Sequence, residues 1–180
     1  VLYGRSGNAA IATCKRLFSE GEIGRLALYR QAWFHHYPQW NNWATDPKRN
    51  GGPFMDAMIH NLNIARFLMG RPATHMTFFS DNHAQSLACN DTEFMKVDFE
   101  QAGSAYLFIT WAADLNVEST EGNYREHIDE TSMITDQGWY VTRERGEKGA
   151  VVRATRDGEI REWPLSGYDG TEFDRFAASV

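Results

Sequence analysis

Asp56 and His60 stand four residues apart in the stretch Gly51-Gly52-Pro53-Phe54-Met55-Asp56-Ala57-Met58-Ile59-His60. On a helix that spacing puts both side chains on one face. A carboxylate beside an imidazole can orient the ring and raise its pKa toward acid–base work. Two glycines just before the helix let the backbone approach a ligand closely. The same pair also reads as an exposed i, i+4 ion pair worth about 0.2–0.5 kcal/mol. A metal centre would need a third and a fourth ligand. His35, His36 and His127 exist, but no spacing nominates them, so no metal is expected.

A second group is aromatic and polar: Trp33, His35, His36, Tyr37, Trp40, Asn41, Asn42 and Trp43. Indole faces with amide and imidazole donors suit a polyhydroxylated ligand. Packing of a long loop accounts for the same residues equally well, although long loops often carry sites. Trp111, followed by Asp114 and Asn116, closes a strand and is a candidate to line the same cleft. A third feature is the turn Gly4-Arg5-Ser6-Gly7. A helix start attracts anions, which makes Arg5 a candidate cofactor contact. The turn is neither G-x-G-x-x-G nor a Walker loop, and a plain strand-to-helix turn explains it as well.

These residues need elements to hold them. Asn8 is a natural cap for a helix with apolar positions 10, 11, 14, 17 and 18, and Gly21 ends it. An extended stretch runs from Leu26 to Tyr37. Residues 38–53 then form a loop of about 15 residues, longer than the usual connection. A helix is predicted from Pro53 to Met69, with Gly70 past its end. Met55, Ile59, Leu62, Ala65 (or Arg66) and Met69 would lie on one face. The rest reads as strands: His75–Ser80, Glu93–Phe99, Ser104–Trp111, His127–Thr135, Gly138–Glu144, Ala150–Thr155 and Glu159–Pro164. Arg156-Asp157-Gly158 is a favoured hairpin turn. A last helix is expected to begin at Glu172. Strands joined by short turns make an antiparallel sheet. The fold class is therefore α+β: an open, predominantly antiparallel sheet with helices packed on one face. Aromatic and apolar residues alternate on both faces, as in Tyr106/Phe108 against Leu107/Ile109. A partner subunit is the natural cover for the second face, so a homodimer is expected.

Composition narrows the functional classes. The 180 residues are 42% hydrophobic and 23% charged, enough for one domain with a sizeable core. The net charge is −6 with no basic patch, which argues against nucleic acid as a partner. No apolar run approaches the length of a membrane span, so no membrane partner is expected. Cys14 and Cys89 are far apart and outside any C-x-x-C, as expected of buried thiols in a reducing compartment. The expectation is a cytoplasmic protein, with any export signal lying upstream of Val1.

Taken together, the motifs resemble a known family. Gly21-Glu22-Ile23-Gly24 is similar to the G-x-I-G turn in the C-terminal domain of the glucose–fructose oxidoreductase / inositol dehydrogenase (Gfo/Idh/MocA) family. Trp43-Ala44-Thr45-Asp46-Pro47 resembles its W-R-x-D-P loop. Gly51 to Gly70 resembles its G-G-x-x-x-D-x-G-x-H-x-x-D-x-x-x-x-L-x-G helix. Asp91-Thr92, Gly103 and Trp111 follow the order of its E-D-T…G…S-W pattern. Three departures stand out: Met58 replaces the glycine between Asp and His, Asn63 the acidic residue after the His, and Ala44 the arginine after the tryptophan. Met58 is expected to narrow the approach to the backbone.

The resemblance implies an oxidoreductase that uses NAD or NADP on a sugar or polyol hydroxyl. It implies that His60 is the general acid/base and that Asp56 binds substrate and orients His60. Residues 1–180 would be the substrate-binding and dimerisation domain, and a dinucleotide-binding domain with G-x-G-x-x-G and E-K-P would precede them. The chain alone is then expected to fold without turning over. Two alternatives stay open. One is a non-catalytic carbohydrate-binding and dimerisation module. The other is a family member using retained NAD for hydrolysis or elimination.

Overall fold

A computed structural model describes residues 8–36, 42–113, 128–147 and 149–165. Arg5, Trp40, Asn41, Asp114, Asn116, His127 and the expected last helix lie outside the described residues. The described residues form helix α1 (Ala9–Glu20), strand β1 (Leu26–Phe34), a π-helical turn (Phe54–Met58) and helix α2 (Ile59–Met69). Seven strands follow: β2 (Ala73–Asp81), β3 (Thr92–Phe99), β4 (Ser104–Thr110), β5 (Ile128–Thr135), β6 (Tyr140–Gly146), β7 (Gly149–Arg156) and β8 (Glu159–Pro164).

Local chemistry sets the ends of α1. The Asn8 side chain accepts a hydrogen bond from the Ala10 N–H at 2.9 Å. Gly21 ends the helix in the left-handed conformation, its N–H bonded to the Leu17 carbonyl. Between these caps, Ala10, Cys14, Leu17 and Phe18 are buried, as their spacing predicts. Both cysteines are free and buried. Burial pushes the Cys14 thiol up to about 12.

The strands form one sheet in the order β2-β3-β4-β1-β5-β6-β7-β8. Its pairs are antiparallel with one exception: β1 lies parallel to β4, with Leu28 opposite Ser104 and Phe34 opposite Thr110. The expected run of hairpins is therefore interrupted, because β1 slots between β4 and β5. The alternation of β3 and β4 sorts their side chains. Met95, Val97, Phe99, Ala105, Leu107 and Ile109 are buried beneath the helices with Leu17, Ile64 and Leu68. Each such aliphatic side chain contributes about 1.5–3 kcal/mol on burial.

The opposite face carries a ladder of rings. Phe79, Phe94 and Tyr106 follow one another at centroid distances of 6.2 and 6.4 Å. Phe108 and Phe34 continue it at 5.3 Å. Phe79 is 63% exposed. Among the described residues no helix is long and apolar enough to cross a membrane.

The helix after the glycines differs from the predicted one. Its first turn is π-helical, and the buried face is Phe54, Met58, Asn61, Ile64, Ala65, Leu68 and Met69. Met55, expected on one face with Ala65 and Met69, is 55% exposed. A π-turn takes more residues per turn than an α-helix, so the phase read from a 3.6-residue period slips at the start.

Candidate functional site

The site lies where the entrance to the π-turn meets one end of the sheet. Strands β1 and β4 are parallel, so they deliver Phe34 and Thr110 to the same end. Trp33 pairs with Ile109, Ile109 with Glu93, and Glu93 with Ser80. That row crosses four strands on the helix-covered face. The π-turn is fastened above it: the Phe54 N–H donates to Glu93 Oε2 at 2.5 Å.

Asp56 sits inside the π-turn and His60 is the second residue of α2. Asp56 is half-buried. Burial raises its carboxyl above the ordinary aspartate range. A hydrogen bond from Asn50 and the charge of His60 pull it partly back. Asn50 Nδ2 lies 3.3 Å from Asp56 Oδ1 and also donates to the Ala44 carbonyl at 3.1 Å. The loop that carries Trp43 is thereby tied to the carboxylate. Asp46 shapes that loop in turn. Its carbonyl accepts from the N–H groups of Arg49, Asn50 and Gly51, and its side chain from the Lys48 N–H.

The aromatic residues are distributed unevenly. Trp33 is buried at the end of β1, edge-on to His35 at 5.8 Å. The backbone N–H of His35 extends the ladder to the Thr110 carbonyl, and its Nδ1 faces the His36 carbonyl at 3.2 Å. Both histidines are half-buried. Trp43 is 44% exposed. Trp111 has a different place from the one its sequence position suggests. It is 0% exposed and packs with Ala44, Cys89 and Leu87 under the loop. Its indole N–H has no hydrogen-bond partner among the described residues. It supports the loop from below and presents no ring face to solvent.

Met58 also departs from expectation. Its side chain is fully buried in the core, where its sulfur accepts from Asn61 at 3.4 Å. It therefore points away from the backbone approach that it was expected to narrow. Gly51 and Gly52 both have positive φ, at 88° and 113°. A Cβ on Gly52 would lie 3.2 Å from Glu93 Oε1. Among the described residues, no group of three His, Cys, Asp or Glu side chains could hold a metal ion.

Sequence reading missed Asn50 and Glu93. Asn50 lay in the loop without a motif of its own. Glu93 is an acidic residue at an inward position of an otherwise apolar alternation, Glu93-Met95-Val97-Phe99. That break in the pattern was the available signal.

Among the described residues, eight strands in one open, mostly antiparallel sheet with two helices define an α+β fold, and an Asp–His pair stands at its Gly-Gly helix entrance. Residues 11–121 match the family model of the GFO/IDH/MocA C-terminal domain, and the chain belongs to that family. No curated protein sequence matches. Solved structures share the fold. An oxidoreductase from Thermotoga maritima superposes with a TM-score of 0.74 at 17% identity, over 99% of this chain and 51% of that one. Aldose–aldose oxidoreductase from Caulobacter crescentus, complexed with glycerol, gives 0.71 at 15% identity, over 96% and 49%. Levoglucosan dehydrogenase in complex with NADH gives 0.66 at 14% identity, over 99% and 54%. This chain thus spans about half the length of the structures it matches.

Proposed function

We propose that the chain is the substrate-binding and proton-transferring domain of an oxidoreductase that moves a hydride between NAD or NADP and a sugar or polyol hydroxyl. The observation that carries this reading is the Asp56–His60 pair at the Gly51-Gly52 entrance, with Asn50 on the carboxylate and Trp43 exposed in the loop that Asn50 ties to it. Family membership supports it, as do similar structures that hold glycerol or NADH.

When bound, the nicotinamide supplies the hydride acceptor. Its dinucleotide site belongs to a second domain in this proposal, with Arg5 as this chain's contact to it. The open backbone at Gly51, where an added Cβ would meet only the Met55 side chain, leaves room for a planar group to approach. The residues of this chain do the rest. His60 takes the proton from the hydroxyl oxygen as the carbon loses its hydride, and returns it in the reverse direction. Asp56 accepts a hydrogen bond from the substrate and holds the imidazole in line. Asn50 keeps the Asp56 carboxylate from turning away. Trp43, with Trp33, His35 and His36 behind it, forms the wall against which a sugar face rests. Trp40 and Asn41 are proposed to complete that wall.

The ring ladder of Phe79, Phe94, Tyr106, Phe108 and Phe34 is the proposed homodimer surface. The test of function is turnover. The full-length protein, given NAD or NADP and a panel of polyols and aldoses, reduces the cofactor, and His60→Ala abolishes that reduction while the fold survives. Reduction at the parent rate by His60→Ala would remove His60 from the chemistry.

A further inference from the structure

We propose that Glu93 is a positioning residue for the Asp56–His60 pair, acting from β3 as a cap that the sequence around the helix start does not supply. The inference rests on the role given to that pair above.

A helix start leaves backbone N–H groups without partners, and a side chain just before it normally takes one. Here the entry reads Gly51-Gly52-Pro53. Glycine has no side chain and proline has no N–H. No side chain of the entry caps the turn. Asp56 closes its own N–H on the Gly52 carbonyl at 3.1 Å. The Phe54 N–H is left, and Phe54 is buried. A buried N–H without an acceptor is costly. Glu93 supplies the acceptor from 39 residues further along the chain, at 2.5 Å.

The carboxylate is itself fixed. Ser80 Oγ donates to Glu93 Oε1 at 3.1 Å, and Asn90 Nδ2 donates to Ser80 Oγ at 2.8 Å. Glu93 is only 4% exposed. A charged group at such burial persists where its hydrogen bonds are made. The positive end of the helix adds a favourable field. Gly52 suits this fit, because a Cβ there would stand 3.2 Å from Oε1 and the carboxylate would have to give way by a few tenths of an ångström. Residues 80, 90 and 93 thus pin the point at which the chain enters the π-turn. Asp56 follows within that turn and His60 follows immediately after it. A shift at Phe54 would carry both side chains with it.

The experiment compares Glu93→Val with Glu93→Gln in the full-length protein. Valine suits a buried strand position but offers no acceptor. Glutamine keeps an oxygen for Phe54 and an amide for Ser80. Hydrogen exchange of the Phe54 amide and the imidazole NMR signals of His60 are read in each, with β6 and β7 amides as the control for global stability. Glu93→Val is expected to speed Phe54 exchange about tenfold or more, and to move the His60 signals while β6 and β7 keep their protection. Glu93→Gln restores both. In turnover, Glu93→Val lowers kcat more than it raises KM, and Glu93→Gln recovers kcat. Parent-like exchange and His60 signals in Glu93→Val overturn the proposal, and so does a Glu93→Gln that behaves like valine. Should the valine variant not fold, Ser80→Ala removes one anchor alone and is expected to loosen Phe54 by a smaller factor. No change there also overturns it. The NMR signals need no substrate, so failure of the oxidoreductase reading shows as missing turnover with the Glu93 signature intact.

Discussion

Asp56 and His60 flank the junction between a π-helical turn and an α-helix, and the charge of His60 is felt at Asp56 across it. The imidazolium favours the Asp56 carboxylate, yet burial outweighs it and leaves the carboxyl raised. A carboxyl so placed keeps its proton to a higher pH than an exposed aspartate does.

Asp56→Asn tests the charge at constant shape. The amide can still pair with Asn50, so the loop stays tied. The expected result is a fall in kcat/KM of about tenfold to a hundredfold, with urea unfolding unchanged or slightly stabilised because a half-buried charge is gone. Steady-state kinetics and an unfolding curve on the same preparation check both halves.

Gly103 and Gly52 are both closely approached, but by different groups. Gly103 opens β4 so tightly against β1 that an added Cβ would stand 1.7 Å from the Ala27 carbonyl oxygen. Gly103→Ala must therefore displace backbone, at a cost of about 3 kcal/mol or more. Gly52→Ala meets both a φ of 113° and the Glu93 carboxylate, and is expected to cost about 1–3 kcal/mol. The two should differ in kind: Gly103→Ala lowers stability alone, whereas Gly52→Ala also lowers kcat. Thermal unfolding together with turnover separates them.

Two neighbouring carboxylates should move stability with pH in opposite directions. Burial works against the Asp91 carboxylate. The N–H groups of Gln85, Ala84 and His83 and the Thr92 hydroxyl outweigh it and hold the group below the ordinary aspartate range. Its stabilisation is present above the unfolded-state value and is lost as pH falls through the folded one. Glu93 is raised by burial, partly countered by the Phe54 N–H and Ser80. The folded protein binds that proton more tightly, so stability rises as pH falls from the folded value toward the unfolded one. Urea titrations from neutral to acid pH should show Asp91→Asn destabilised by about 3 kcal/mol at neutrality, the deficit shrinking in acid. Relative to Glu93→Gln, the parent should gain stability on mild acidification.

The ring ladder should set the assembly state. Phe94→Lys with Phe108→Glu places charges in the middle of the aromatic face without touching the buried side of β3 or β4. Sedimentation is expected to show dimers for the parent and monomers for the double variant at micromolar concentration. A parent that sediments as a monomer contradicts the proposed interface.

Legibility in the sequence followed the range of each interaction. The Asn8 and Gly21 caps of α1 and the Asp157-Gly158 hairpin are decided within a few residues, and they were readable. The position of β1 beside β4 is decided by pairings such as Leu28 with Ser104, which no local pattern announces. The π-turn escaped because apolar spacing was read at one fixed period, which misplaced Met55. Asp56 and His60 stand out in the sequence by their spacing beside the two glycines, and the structure sets them on either side of the π-turn junction. Glu93 does not stand out, since its partner at Phe54 is remote in sequence. Trp111 shows the converse error: its place at a strand end suggested a ligand wall, while its surroundings are Ala44 and Cys89.

In the proposed reaction His60 exchanges a proton with a substrate hydroxyl, and a bound nicotinamide would supply the hydride acceptor. The most direct measurement is reduction of NAD or NADP by the full-length protein across polyols and aldoses, beside a folded His60→Ala variant. Substrate-dependent cofactor reduction is expected of the parent, with a loss of about a hundredfold or more in the variant. Equal rates for the two proteins, or carbohydrate binding by the parent with no cofactor reduction on any substrate, would contradict that reaction.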